Sequence, residues 1–358
     1  MRRLQKAKKC LGKNFDALLV SSTPNIIYLT GFNGFSETER EAYLLLTKTQ
    51  NYIFTDGRYK EVASKIKNFK LVEISSAQKF QDGLKAIVTK EKIKKLAIDE
   101  DNIKISEFRI IKFVVKTVSD ENLIENLRSV KDENEIKEIK KACKLGDKVF
   151  EYILSELKAR VSEITIAKKI EIFILQNNAE ISFRPIVAFG PNSSSPHHVC
   201  GNSKLKKNQI VLLDFGIKLN NYCSDMTRTV FFGKASPEQK RIYNTVLHSQ
   251  QKTIEQLNNR TIEQIKASDV DEVARDHIKS EDYPSIPHSL GHGIGLEVHE
   301  KPSLSPKSKD VLQPGMVFSV EPGIYIPQFG GVRIEDLILL TKKGPQIITR
   351  ANRKLIEL

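Results

Sequence analysis

Apolar residues keep two rhythms along this 358-residue chain. Over the first third, short β-branched and apolar runs at 17–20, 42–46, 52–55, 71–74 and 96–98 predict strands. Helical stretches near 1–12, 57–68, 76–91 and 104–112 alternate with them, which predicts a self-contained α/β domain over residues 1–125. Beyond it the spacing changes to threes and fours. Ile136, Ile139, Ala142 or Cys143, Val149, Ile153 and Leu157 recur among lysines and glutamates, the stripe of a long amphipathic helix. A second helix is expected over 162–177 with Ser162 as its cap. Strands then dominate a second domain, 126–358, from the run 185–190 onward, interrupted by helices at about 236–256 and 267–279.

Acidic residues break this pattern inside the strands. The run Gln209 to Leu213 ends in Asp214, and Asp225 opens the run Thr227 to Phe232, with Lys218-Leu219-Asn220-Asn221 supplying a turn between them. An ionised carboxylate in such a run is costly to bury unless a cation or hydrogen bonds compensate it. Two side by side call for a cation. Further on, Met316 to Val320 runs into Glu321, and Val332 to Ile334 leads to Glu335, with Asp336 directed to the opposite face by the period of two.

Histidines gather around these carboxylates in the sequence. The segment PHSLGHGIGLEVHE places His288, His292 and His299 within twelve residues, and the loop Pro191 to Pro196 delivers His197 and His198. His288 and His292 have the spacing of a zinc-protease helix, but position 289 is Ser and three glycines in five residues would break a helix. The segment is therefore read as extended, with backbone packed closely against a neighbour. His248 and His277 fall on predicted helices and are read as surface or helix-packing residues, Asp56 of FTDGRY as a helix cap, and the loop Gly31 to Glu37 as a surface loop, with a loop reaching an active site as the alternative.

Composition narrows the function classes. With 40% hydrophobic and 28% charged residues the chain reads as globular, and no apolar run has the length of a membrane span. The basic N-terminus is followed by too short an apolar patch for a signal peptide, so a cytoplasmic protein is expected. The net charge of +13 raises the question of nucleic acid, but lysines are spread along the chain and mixed with glutamates, as on solvated helix faces, so no specific nucleic-acid partner is expected. Cys10, Cys143, Cys200 and Cys223 form no close pair and no metal-ligand spacing, and are read as reduced thiols.

Taken together, LLDFG with YCSDMTRT, GHGIGLEVHE, VEPGIYIP and GVRIED stand in an order and spacing that resembles the creatinase-like, or pita-bread, metallopeptidases (M24), in the branch of Xaa-Pro aminopeptidases and prolidases. SSTPNIIYLTGF and FTDGRY are similar to the smaller N-terminal domain of that branch. The resemblance implies a creatinase-type α/β domain followed by a pita-bread domain, a curved antiparallel sheet covered by helices. It implies that Asp225 and Glu335 bridge two divalent metals, that Asp214 binds one of them, and that His292 with Glu321 binds the other. Mn²⁺ suits this oxygen-rich set, with Co²⁺ or Zn²⁺ as alternatives.

The same resemblance implies hydrolysis of the bond before proline by a hydroxide held between the metals, with Glu321 as general base. His197 and His299 match the histidines that contact substrate and tetrahedral intermediate, and His288 a further pocket histidine. Tyr325 and Arg333 match a pair beside Asp214, and Arg333 or a basic loop is a candidate to recognise the substrate's carboxylate in a dipeptidase. The reading favoured is an Xaa-Pro aminopeptidase acting on proline-containing peptides, as a homodimer, with an Xaa-Pro dipeptidase (prolidase) as the alternative. A non-enzymatic binding module would have lost some of these ligands, and a metal-free amidinohydrolase would not need them.

Overall fold

The computed structural model describes residues 2–9, 11–259 and 265–358, so Cys10 lies outside the described residues. The chain divides into two compact units, Met1–Arg128 and Ser129–Leu358.

In the first unit the apolar runs become a six-stranded sheet in the order Lys70–Ile74, Asn51–Asp56, Ala42–Thr47, Ala17–Val20, Lys95–Ile98, Lys116–Ser119. The Ala17–Val20 strand pairs antiparallel on one side and parallel on the other. The last strand and the helix Thr23–Thr30 escape the sequence pattern. KTVS offers only one apolar residue, Val118, and stays half-exposed at the sheet edge. Thr23–Thr30 carries Pro24 and β-branched residues, yet Pro24 sits in the first turn, where its missing N–H costs nothing. Gly31, left-handed at φ 76°, closes that helix by donating its N–H to the Ile27 carbonyl. Asp56 does cap a turn, its carboxylate accepting from the Arg58 N–H, but the helix expected over 57–68 is only a 3₁₀ turn, Gly57–Tyr59, followed by Lys60–Ser64.

In the second unit the long amphipathic stripe is the helix Glu133–Glu156. Its start is set by a capping box, in which the Asp132 carboxylate accepts from the Glu135 N–H and the Glu135 carboxylate from the Asp132 N–H. The next helix is Glu163–Gln176, where Ser162 stands at the cap position but its hydroxyl bonds Thr165 Oγ1 at 2.6 Å rather than the backbone. These two helices bury Phe150, Ile166 and Ile170 together with Val187, Val211, Leu213 and Phe215 of a three-stranded antiparallel sheet, ordered Met226–Phe232, Gln209–Phe215, Ile186–Phe189. The helices Pro237–Asn259 and Ala267–Ser280 share a core with Phe318, Val320 and Ile338 of a five-stranded antiparallel sheet. That sheet runs Glu300–Leu304, Gly291–Gly293, Val317–Val320, Asp336–Thr341, Gly344–Ile347.

The acidic hairpin has the expected form. Thr227 lies across from Asp214, and the turn between the strands holds Asn220 and Asn221 at φ 50° and 72°, the left-handed conformation that asparagine tolerates. The histidine segment is extended, as its glycines predicted. A Cβ on Gly291 would lie 2.0 Å from the Ser319 carbonyl oxygen, and one on Gly293 2.1 Å from that of Lys301. Cys143, Cys200 and Cys223 are free thiols.

Candidate metal centre

Five strand ends or strand-flanking residues bring the carboxylates to one place. Asp214, Asp225, His292, Glu321 and Glu335 all line a cavity of about 450 Å³, together with His197, His288, His299 and Arg333. Each carboxylate arrives because strand alternation turns it away from the core. Asp214 follows the buried Leu213, and Glu335 has its N–H tied to the Thr227 carbonyl while Asp336 points the other way. There Asp336 is fully buried against Arg228 (2.7 Å) and Thr349 (2.6 Å).

Asp225, His292 and Glu335 each present a ligating atom, and these atoms lie within 4.8 Å of one another. Glu321 Oε1 is 3.4 Å from His292 Nε2, and Asp225 Oδ2 is 3.6 Å from it. One oxygen on each of Asp214, Asp225 and Glu335 is buried with no donor from the protein. Buried carboxylate oxygens are almost always paired, so three of them facing one cavity fit a divalent cation rather than a salt bridge. Protonation tells the same story. Burial, then repulsion from Glu335 and Asp214, pushes Asp225 well above the usual carboxylate range, and burial followed by Glu321 and Asp214 does the same to Glu335. Burial lifts Glu321 to about 7. Divalent cations would invert that balance and hold the set ionised.

His292 presents a neutral imidazole with one free lone pair. Its Nδ1 lies 3.2 Å from the Gly293 carbonyl, which can only accept, so Nδ1 carries the hydrogen and Nε2 turns its lone pair to the carboxylates. Burial keeps its pKa low. The ring of His299 stands 4.3 Å from it, and both His299 and His197 are exposed on the cavity wall. His288 donates from Nδ1 to the Ser289 carbonyl (2.8 Å) and accepts at Nε2 from the Tyr325 hydroxyl (2.9 Å), which itself accepts from Arg333 (2.9 Å). Burial holds His288 down to about 4 and Tyr325 up to about 12, so this relay stays uncharged apart from Arg333. Arg333 in turn donates to Asp214 Oδ2 at 2.5 Å.

Three supports were not legible as such. Thr227 accepts from Arg333 Nε (3.0 Å) and donates to Glu335 Oε2 (2.7 Å), joining both sides of the site. Its signal was the period of two, which puts Thr227 on the face of Asp225. Glu163 is fully buried and accepts from the N–H groups of Phe189 (2.9 Å) and Gly201 (3.1 Å), from Asn192 Nδ2 (2.7 Å), and pairs with His198 Nε2 (2.9 Å). It clamps both ends of the loop that carries His197, and His198, given no role from the sequence, is part of the clamp. Arg275 binds the His288 carbonyl and Asp271 the Leu290 N–H (3.1 Å), holding the histidine segment from the helix Ala267–Ser280. His248 and His277 stay on the helices, 6.4 Å apart, away from the cavity lining.

Known proteins match this chain in sequence and fold. The family model for metallopeptidase family M24 matches residues 137–342, and that for the creatinase/prolidase N-terminal domain matches residues 2–130. An Xaa-Pro dipeptidase of Pyrococcus horikoshii is 34% identical over 99% of this chain and 98% of its own. The solved structure of an Xaa-Pro dipeptidase from Bacillus anthracis is 35% identical with a TM-score of 0.92, covering 100% of this chain and 99% of that one. An X-Pro aminopeptidase from Thermotoga maritima is 31% identical with a TM-score of 0.86, covering 98% and 99%. With the ligand set in one cavity of a two-unit fold matched along its whole length, the chain belongs to the M24 metallopeptidases, enzymes that use divalent metals, and it carries their creatinase-type N-terminal domain.

Proposed function

We propose that this protein is an Xaa-Pro dipeptidase whose activity depends on two divalent cations, Mn²⁺ before Co²⁺ or Zn²⁺ because most of the donors are hard oxygens. The observation that carries the metal reading is the trio of buried carboxylate oxygens on Asp214, Asp225 and Glu335 with no protein donor, beside the lone pair of His292. Asp214, Asp225, His292, Glu321 and Glu335 would hold the ions. Bound there, the ions lower the pKa of water to near neutrality and polarise the peptide carbonyl.

The chain's own groups do the rest. Glu321, beside Ser319 Oγ at 3.1 Å, takes the proton from the attacking water and delivers it to the departing proline nitrogen. His197 and His299 face the carbonyl oxygen as charge builds on it. Arg333 donates to Asp214 and fixes its orientation, and Tyr325 holds His288 in place. An Xaa-Pro amide has no N–H, and the apolar side chains of Phe183, Ile186, Pro196 and Val298 give the ring a wall to pack on.

The sequence favoured an aminopeptidase; relatives named Xaa-Pro dipeptidase and prolidase move the reading to the alternative, and a cavity of about 450 Å³ suits a small ligand. We place the protein in the cytoplasm as a homodimer; among the described residues no helix is long and apolar enough to cross a membrane. The deciding experiment strips the metal, restores Mn²⁺, and follows Xaa-Pro, Xaa-Pro-Yaa and Xaa-Ala peptides. Metal-dependent cleavage of Xaa-Pro alone is expected. Equal cleavage of Xaa-Pro-Yaa would restore the aminopeptidase, and cleavage of none would remove the peptidase reading.

A further inference from the structure

We propose that Arg184 recognises the free carboxylate of the proline residue and thereby selects dipeptides, an inference that rests on the dipeptidase reading above. Two guanidinium groups line the cavity, those of Arg184 and Arg333. Arg333 is committed to the protein. Its Nε donates to Thr227 Oγ1 (3.0 Å), its Nη1 to Tyr325 (2.9 Å) and the Pro196 carbonyl (3.4 Å), and its Nη2 to Asp214 (2.5 Å), with the residue only 3% exposed. A carboxylate on the substrate would have to compete with Asp214 for it.

Arg184 is in the opposite condition. It is exposed where the cavity meets solvent, and no carboxylate or carbonyl among the described residues pairs with it. Its place in the fold follows from register. Ile186 lies directly across from Asp214, and both line the cavity. Arg184 comes two residues earlier, displaced from that pair by about 7 Å at the rise of an extended chain. Pro185, which is buried, follows it and restricts Arg184 to extended backbone, so its starting direction is set before any ligand arrives.

The electrostatics call for such a group. Asp214, Asp225, Glu321 and Glu335 make the inner wall acidic, a poor surface for a ligand that brings its own negative charge. In an Xaa-Pro dipeptide the carboxylate sits on the carbon next to the leaving nitrogen, so anchoring the scissile bond at the acidic wall turns the carboxylate toward the rim. A guanidinium there offers a fork that matches a carboxylate in two parallel hydrogen bonds. A longer peptide or an amide has no charge at that point and gains nothing from it.

The test compares wild type, Arg184→Ala and Arg184→Lys, each loaded with Mn²⁺, on Xaa-Pro and on its amide Xaa-Pro-NH₂. Arg184→Ala is expected to raise KM for Xaa-Pro about ten- to a hundred-fold, the range for losing a charge-assisted hydrogen bond, with kcat and metal content kept. KM for the amide should not move, and Arg184→Lys should recover part of the loss. Equal effects on both substrates, or no effect on either, would overturn the role of Arg184 while leaving the dipeptidase reading in place. Wild-type protein that leaves Xaa-Pro intact would overturn both.

Discussion

Thr227 shows how much of the site hangs on one hydroxyl. It stands between Arg333 Nε and Glu335 Oε2, buried, and satisfies both, so the guanidinium that orients Asp214 and the carboxylate that faces Asp225 are registered against each other through it. Thr227→Val keeps the shape and removes the link. Groups that orient metal ligands typically contribute about 10- to 100-fold in metal affinity, and a loss of that size is expected here, read by titrating Mn²⁺ into the stripped variant. Unchanged affinity would mean that packing alone orients Glu335. The sequence exposed the candidate ligands because carboxylates inside apolar runs are conspicuous. It hid Thr227, since threonine is an ordinary strand residue.

Whole elements are positioned by similar buried groups. Glu163, at the start of its helix, gathers two backbone N–H groups, Asn192 and His198 from the 189–201 loop, and that loop carries His197. Glu163→Gln removes the charge and replaces an acceptor with a donor facing N–H groups. It should lower stability by about 1–3 kcal/mol in urea unfolding and reduce kcat more than metal content, because His197 moves while the ligand set stays. A second acidic group lies at the ends of parallel strands in the first unit. Burial and then Glu125 raise Asp99 to about 6 and Asp120 to about 7. A carboxyl whose pKa is raised on folding contributes stability that is full below its unfolded pKa and is lost as pH rises through the folded one, here across about 4 to 7. Asp120→Asn should therefore be more stable than wild type at pH 8 and close to it at pH 4, measured by urea unfolding at both. An identical difference at the two pH values would remove the assignment.

At the scale of the molecule, cations held by the proposed ligand set would couple to folding of the second unit. The five proposed ligands come from distant strands and meet only in the folded chain, so Mn²⁺ at a hundred times its Kd should stabilise that state by about 2.7 kcal/mol, seen as a rise in Tm that EDTA abolishes. Glu335→Gln should show little of this rise, and an equal rise would place the stabilising ion elsewhere. The sequence by itself determined the strand and helix pattern, the hairpin and its turn, and which carboxylates and histidines could not belong to an ordinary core. Those are consequences of local periodicity and of the cost of burying charge, and both are written residue by residue. Tertiary structure alone decided the rest. It stopped the helix after Asp56 at Ser64 and gave Glu163 and Thr227 their partners. It also separated the two arginines of the cavity, tying one to Asp214 and leaving the other open. Partners 26 to 119 residues away in the chain leave no periodic trace, and only packing brings them within hydrogen-bond reach.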